Sequence, residues 1–346
     1  MSRVQPKTYA ALCAICHGVD ARGYAADQAP SLVTSTFLES ATDDFLFRSI
    51  AGGRPGTSMA AYSKALHGPL EDPEIGEIVA WLRAQGPEQK PLPAVNAGDA
   101  KRGAEVYASS CQTCHGDQRV RGEGISLQNP HFREHATPPF VRHAIVHGRP
   151  GTKMEPWKGR LTEPQIDDVV AFLFEPPPGE ADAGEGQLPA PRGNEPLVIH
   201  PGGKPPGFTP RSDPCPPPAP GEKPCQPNRR YVPADQVARA LAAKQRLIII
   251  DARPASDWMR VHVAGAVSIP HHDLKRLDEI KNDGTWVIAY CACPHHLSGD
   301  VVDALRKKGI KNSAILDEGI LEWHRRGYPI VAAPGVTKPP QQVPPR

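Results

Sequence analysis

Two copies of one short arrangement hold the most chemically specific residues of this 346-residue chain. They are Cys13-Ala14-Ile15-Cys16-His17 and Cys111-Gln112-Thr113-Cys114-His115. Two thiols separated by two residues, with an imidazole directly after, fit the covalent attachment of haem. On one helical turn the cysteines reach neighbouring vinyl groups, and the histidine sits beneath the iron. Zinc sites and dithiol redox pairs also place two cysteines at this spacing.

A sixth iron ligand is visible downstream. Gly53-Arg54-Pro55-Gly56-Thr57-Ser58-Met59 follows the first motif and Gly148-Arg149-Pro150-Gly151-Thr152-Lys153-Met154 follows the second. Only four methionines occur in the chain, and two stand in this shared frame. A lone methionine is ordinary core filler. Met59 and Met154, each in the same turn after a haem motif, are expected to be thioether ligands opposite His17 and His115. His147, close before Met154, is the alternative for a bis-histidine site.

The elements that position these groups repeat as well. Ser31, Leu32 and Phe37 match Ser126, Leu127 and Phe132 at a constant offset of 95. Each unit closes on an amphipathic helix, from Asp72 to Leu82 and from Glu163 to Leu173, with Pro73 or Pro164 in the first turn. A tandem repeat of this length reads as two domains rather than a solenoid.

Both units resemble class I c-type cytochromes, the small monohaem electron carriers. The matching residues are the two motifs, the two methionines, and Tyr9 and Tyr107, each four residues before the first motif cysteine. The resemblance implies an N-terminal helix crossing the C-terminal one. Gly103 fits that close crossing, whereas Gln5 takes its place in the first unit. It also implies a backbone carbonyl receiving the proximal imidazole N–H, from Pro30 in the first unit and Ile125 in the second. Two covalently bound haem c groups follow, held through Cys13, Cys16, Cys111 and Cys114.

A net charge of +2 and a pI near 8.1 are too balanced to argue for nucleic acid or an anionic membrane. No segment reaches the ~18 apolar residues of a membrane-spanning helix. The first haem helix begins almost at Met1, which leaves no room for an export signal. Haem attachment to this family in bacteria takes place outside the cytoplasmic membrane. A periplasmic location is therefore expected, with a signal or anchor outside this sequence.

Residues 176–230 hold 17 prolines in 55 positions. Such a stretch has few large apolar residues and reads as a semi-rigid polyproline spacer. Cys215 and Cys225 lie within it and could close a small disulfide loop in an oxidising compartment. Beyond it, apolar runs at Leu247–Asp251, Trp286–Tyr290 and Ala314–Leu316 alternate with helical patterns. That alternation implies a parallel sheet covered on both faces.

This last region resembles the rhodanese family of sulfurtransferases. The matching segments are Asp251-Ala252-Arg253-Pro254, His262 to Pro270, Tyr290-Cys291, and Leu316 to Trp323 with Gly327-Tyr328-Pro329. The resemblance implies that Cys291, after the central strand, is a persulfide-forming nucleophile in a loop of backbone N–H groups. The loop here runs Ala292-Cys293-Pro294-His295-His296 and lacks the arginine that many members use for thiosulfate. His295 and His296 could substitute as cations in weak acid. Cys293 could resolve a persulfide or form a strained, easily reduced disulfide with Cys291.

The expected molecule is multidomain. Two all-α cytochrome c domains occupy 1–90 and 97–175, a spacer 176–230, an α/β rhodanese-like domain 231–335, and a tail 336–346. Its expected role is electron transfer to protein redox partners, coupled to sulfane-sulfur handling on thiosulfate, sulfide or polysulfide. The alternative is an electron carrier whose rhodanese-like domain binds or senses without turnover.

Overall fold

The computed structural model describes residues 4–117, 120–175, 186–214, 227–292, 296–339 and 341–342. Cys293 and His295 lie outside these residues, as do Cys215 and Cys225. The chain divides into two compact units, one ending at Ala183 and one running from Gly184 to Pro339, with the tail from Pro340 grouped with the first.

The first unit contains both haem motifs and is helical. Lys7–Leu12 leads into the motif turn Ala14–His17, and Ala100–Ser110 into Gln112–His115. The closing helices run Asp72–Arg83 and Glu163–Phe174. Both begin with a reciprocal capping box, Glu71 with Glu74 and Thr162 with Gln165, and a proline in the first turn. These satisfy N–H groups that a helix start leaves unpaired. Ile75, Ile78, Val79 and Leu82 form the buried stripe of the first, as their spacing requires.

Gly103 is buried where Ala100–Ser110 meets Glu163–Phe174. A Cβ there would fall 1.9 Å from the carbonyl oxygen of Asp168. Only glycine permits that approach, as the sequence resemblance anticipated. The crossing is then fastened by Arg102, whose Nε lies 2.8 Å from one Asp168 carboxylate oxygen and whose Nη2 lies 2.9 Å from the other.

The two repeats pack on each other through equivalent residues. Phe45 meets Phe140 with ring centroids 4.7 Å apart, and both belong to matching helices, Asp43–Gly52 and Pro138–His147. Phe37 sits 6.1 Å from Phe140, and its counterpart Phe132 sits 6.2 Å from Phe45. The offset of 95 seen in sequence therefore produces an approximate two-fold seam. Edge-on ring pairs of this kind add about 0.5–1.5 kcal/mol each beyond area burial.

The second unit is built on a mixed sheet. Its strands run in the order Val198–Ile199, Leu247–Asp251, Trp286–Tyr290, Ser313–Leu316 and Tyr231–Val232, with Val267–Ser268 also paired to Leu247–Asp251. All pairs are parallel except that of Val198–Ile199. Ile248, Ile250, Val287 and Ala289 face a core with Val301, Val302 and Leu305, while Leu247, Ile249, Ile288 and Tyr290 face one with Val237, Ile320 and Trp323. Both faces are covered, as the apolar strand runs predict.

The spacer reading needs correction at 198–199. Leu197 and Val198 pack on one core and Ile199 and Phe208 on the other. Proline count is a poor guide here because the few apolar residues alternate and meet an open edge of Leu247–Asp251. Arg276 anchors the approach, its Nη2 donating to the Glu195 carbonyl oxygen at 2.8 Å.

Candidate haem sites and a buried cysteine

Each motif histidine is oriented by a backbone carbonyl. His17 Nδ1 lies 3.0 Å from Pro30 O, and His115 Nδ1 lies 2.9 Å from Ile125 O. A donor at Nδ1 leaves the Nε2 lone pair for a metal. Burial pushes both imidazoles below their ordinary value, opposed in part by those carbonyls. The chain closes tightly around the second: a Cβ on Gly124 would stand 3.0 Å from His115 Nδ1. Neutral, fixed imidazoles with one open nitrogen are what a haem iron requires.

Behind each motif cysteine stands the predicted tyrosine. Tyr9 donates its hydroxyl to Gly18 O at 2.9 Å, and Tyr107 to Gly116 O at 2.8 Å. The rings pack on the closing helices, Tyr9 on Trp81 at 4.4 Å and Tyr107 on Phe172 at 5.3 Å. Both phenols thus tie the motif turn to the helix crossing.

The methionine turns agree bond for bond. Arg54 N–H donates to Met59 O at 2.7 Å, and Arg149 N–H to Met154 O at the same distance. Met59 N–H donates to Thr57 Oγ1 and Met154 N–H to Thr152 Oγ1, both at 3.1 Å. Gly53 and Gly148 enter the turn at φ +63°, where a Cβ would strike backbone 2.4 and 2.5 Å away. The shared Gly-Arg-Pro-Gly-Thr-x-Met frame therefore encodes one rigid turn twice. His147 instead lies beside His143, with ring centroids 4.4 Å apart and the planes tilted by 44°.

In the second unit, Cys291 follows the strand Trp286–Tyr290 and is 1% exposed. Its Sγ lies 3.4 Å from Ser298 Oγ, in the first turn of the helix Leu297–Lys307. The sulfur thus lies beside the N-terminal turn of an 11-residue helix. Ile320 N–H holds the Cys291 carbonyl at 3.0 Å. His296 precedes that helix, and its carbonyl accepts the Gly299 N–H at 2.9 Å.

Sequence reading missed the network that braces this strand end. Arg253 is buried and donates to both Asp251 carboxylate oxygens, at 2.9 and 2.7 Å, while the Tyr290 hydroxyl donates to Asp251 Oδ2 at 2.8 Å. Desolvation works against the guanidinium, but Asp251 and Asp257 hold its pKa above the ordinary value. The Asp-x-Arg spacing and the tyrosine next to Cys291 were the available signals. Ser298, seven residues past the cysteine, carried none.

Helical units of this kind, with paired thiols, a carbonyl-held histidine and a methionine turn, are c-type cytochrome domains. Residues 5–82 and 98–173 match the family described as cytochrome C oxidase, cbb3-type, subunit III, and residues 233–326 match the rhodanese-like domain. The chain therefore joins two class I cytochrome c domains to a rhodanese-like domain.

A dihydro-heme d1 dehydrogenase of Pseudomonas aeruginosa is 39% identical over 84 residues, 24% of this chain and 17% of that protein. The cbb3-type cytochrome c oxidase subunit CcoP of Azospirillum sp. (strain B510) is 25% identical over 179 residues, 46% of this chain and 57% of that subunit. The subunit FixP of Bradyrhizobium sp. (strain ORS 278) is 27% identical over 187 residues, 50% and 60% respectively. The matched part spans less than two thirds of each relative's length. Among the described residues, no helix is long and apolar enough to cross a membrane.

Proposed function

We propose that the chain is a two-haem electron carrier whose rhodanese-like domain forms a persulfide on Cys291 and delivers electrons from sulfur chemistry to the haems. Cys13 and Cys16 hold one haem and Cys111 and Cys114 the other, with His17 and Met59, and His115 and Met154, as axial ligands. The observation that carries this is the duplicated site: two histidines with Nδ1 tied to a carbonyl, and two methionine turns with the same hydrogen bonds. Haem c with histidine and methionine ligands supplies a one-electron acceptor of relatively high potential. Haem attachment of this type supports a location outside the cytoplasmic membrane. We assign the cytochrome domains to 1–90 and 97–175, and extend the rhodanese-like domain to include the strand at Val198–Ile199.

The sulfur chemistry balances. A Cys291 thiolate and a hydrosulfide ion form a persulfide anion, releasing one proton and two electrons. The S–H bond breaks and one S–S bond forms. Two one-electron acceptors on the same chain match that count. Ser298 and the helix end steady the sulfur anion, and the Asp251–Arg253–Tyr290 network fixes the strand that presents it. Sulfide is the electron-yielding substrate in this scheme, whereas polysulfide and thiosulfate would load Cys291 with sulfane sulfur, releasing a shorter polysulfide or sulfite and no electrons.

The test is direct. The holoprotein should contain two haem c groups by pyridine haemochrome assay. Incubation with polysulfide should add one sulfur atom to the Cys291 peptide by mass spectrometry, and Cys291→Ser should abolish that addition. One haem per chain would remove the first half of the proposal. An unmodified Cys291 with every donor would leave the domain a binding module.

A further inference from the structure

The seam between the cytochrome repeats contains two arginines that neither the haem ligation nor the helix packing uses. Arg54 lies over Phe45 and Phe132, 5.7 and 5.9 Å from the ring centroids. Arg149 lies over Phe37 and Phe140, at 5.5 and 5.2 Å. Each guanidinium is flanked by one ring of its own repeat and one of the other.

Their hydrogen-bond partners are neutral. Arg54 donates to Gly53 O at 2.8 Å and Ser49 Oγ at 2.7 Å, and Arg149 to Thr36 Oγ1 at 3.3 Å. Among the described residues, neither forms an ion pair with a carboxylate. A desolvated cation without a counter-charge is costly. An aliphatic residue would fill the same aromatic seam without that cost, and aromatic faces recover only part of it. Finding the charge at equivalent places in both repeats points to an anion that belongs there.

The position of each arginine says which anion. Its N–H holds the carbonyl of the proposed iron ligand, five residues on, so the side chain leaves from the turn that carries the methionine. The group bound beside that turn, haem c, carries two carboxylates. A guanidinium has five N–H donors in a planar fork that suits them, and few are taken here.

We propose that Arg54 and Arg149 are the counter-charges of the haem carboxylates, one arginine to each haem, which draws the acidic side of both haems to the seam between the repeats. This rests on the two-haem reading above. The arginines act as positioning residues for electron exchange between the repeats, and their charge raises the potential of the haem each one holds.

The experiment uses the full haem-loaded chain. Resonance Raman spectroscopy reads the propionate bending band, and a potentiometric titration reads both midpoint potentials. Arg54→Gln and Arg149→Gln should each shift that band and lower one midpoint potential, and the Lys variants should restore part of the potential. Phe132→Leu, which loosens the seam and keeps the charge, should leave the band in place. An unmoved band and unmoved potentials in both Gln variants would overturn the proposal and make the arginines aromatic staples. Should a Gln variant fail to fold, the reduced wild-type protein decides: the Arg54 and Arg149 Nε–H protons should show nuclear Overhauser contacts to propionate methylenes, and their absence contradicts the proposal. A wild-type chain with fewer than two haems is a different failure, that of the two-haem reading.

Discussion

Met154 and Met59 stand in turns that agree to a tenth of an ångström in their hydrogen bonds, so one substitution probes a role shared by both. Met154→Ala should keep its haem, which the thioethers retain, while losing the sulfur–iron band in the near infrared. One of two midpoint potentials should fall, because methionine ligation raises the potential of haem c. Unchanged potentials would move the sixth ligand elsewhere, with His147 the first candidate. At this scale the sequence is legible where spacing is dictated by chemistry. Thiols must reach two vinyls, an imidazole must follow, and a carbonyl must receive its N–H, from Pro30 in one repeat and Ile125 in the other. It is silent where a contact needs the fold, as with Ser298 beside Cys291.

Among elements, the crossing of Ala100–Ser110 with Glu163–Phe174 is the most constrained. Gly103→Ala must separate two backbones, since its Cβ would sit 1.9 Å from Asp168 O. Overpacking of that kind costs about 1–3 kcal/mol, read as a lower denaturant midpoint with the haem spectrum retained. The same crossing is acid-sensitive. Arg102, then the Asp99 N–H, hold the Asp168 carboxyl below its ordinary range. A lowered carboxyl stabilises the fold fully above the unfolded value of about 3.9, and that contribution disappears as pH falls from there through the lower folded value. Stability measured across that interval should drop in the wild type, and Asp168→Asn should flatten this part of the profile. The closing helices were legible from their period and first-turn prolines. The edge strand Val198–Ile199 was not, because its two-residue pattern is drowned by prolines and gains meaning only beside Leu247–Asp251.

At the scale of the whole molecule, gene-level repetition at an offset of 95 becomes a physical symmetry, with Phe45 on Phe140 and Arg54 matched by Arg149. Repetition is visible in sequence; that the copies pack on each other is not, since it depends on aromatic faces meeting across the seam. The rhodanese-like fold is likewise readable from its strand runs, whereas its proposed partnership with the haems rests on electron count. Two electrons leave when a thiolate and hydrosulfide join, and the two proposed haem sites on the same chain would accept them. The deciding measurement follows haem reduction optically, without oxygen, after adding sulfide to the oxidised holoprotein. The account predicts fast reduction in the wild type that is lost in Cys291→Ser. Equal rates in the two proteins, or no reduction by sulfide, would contradict it.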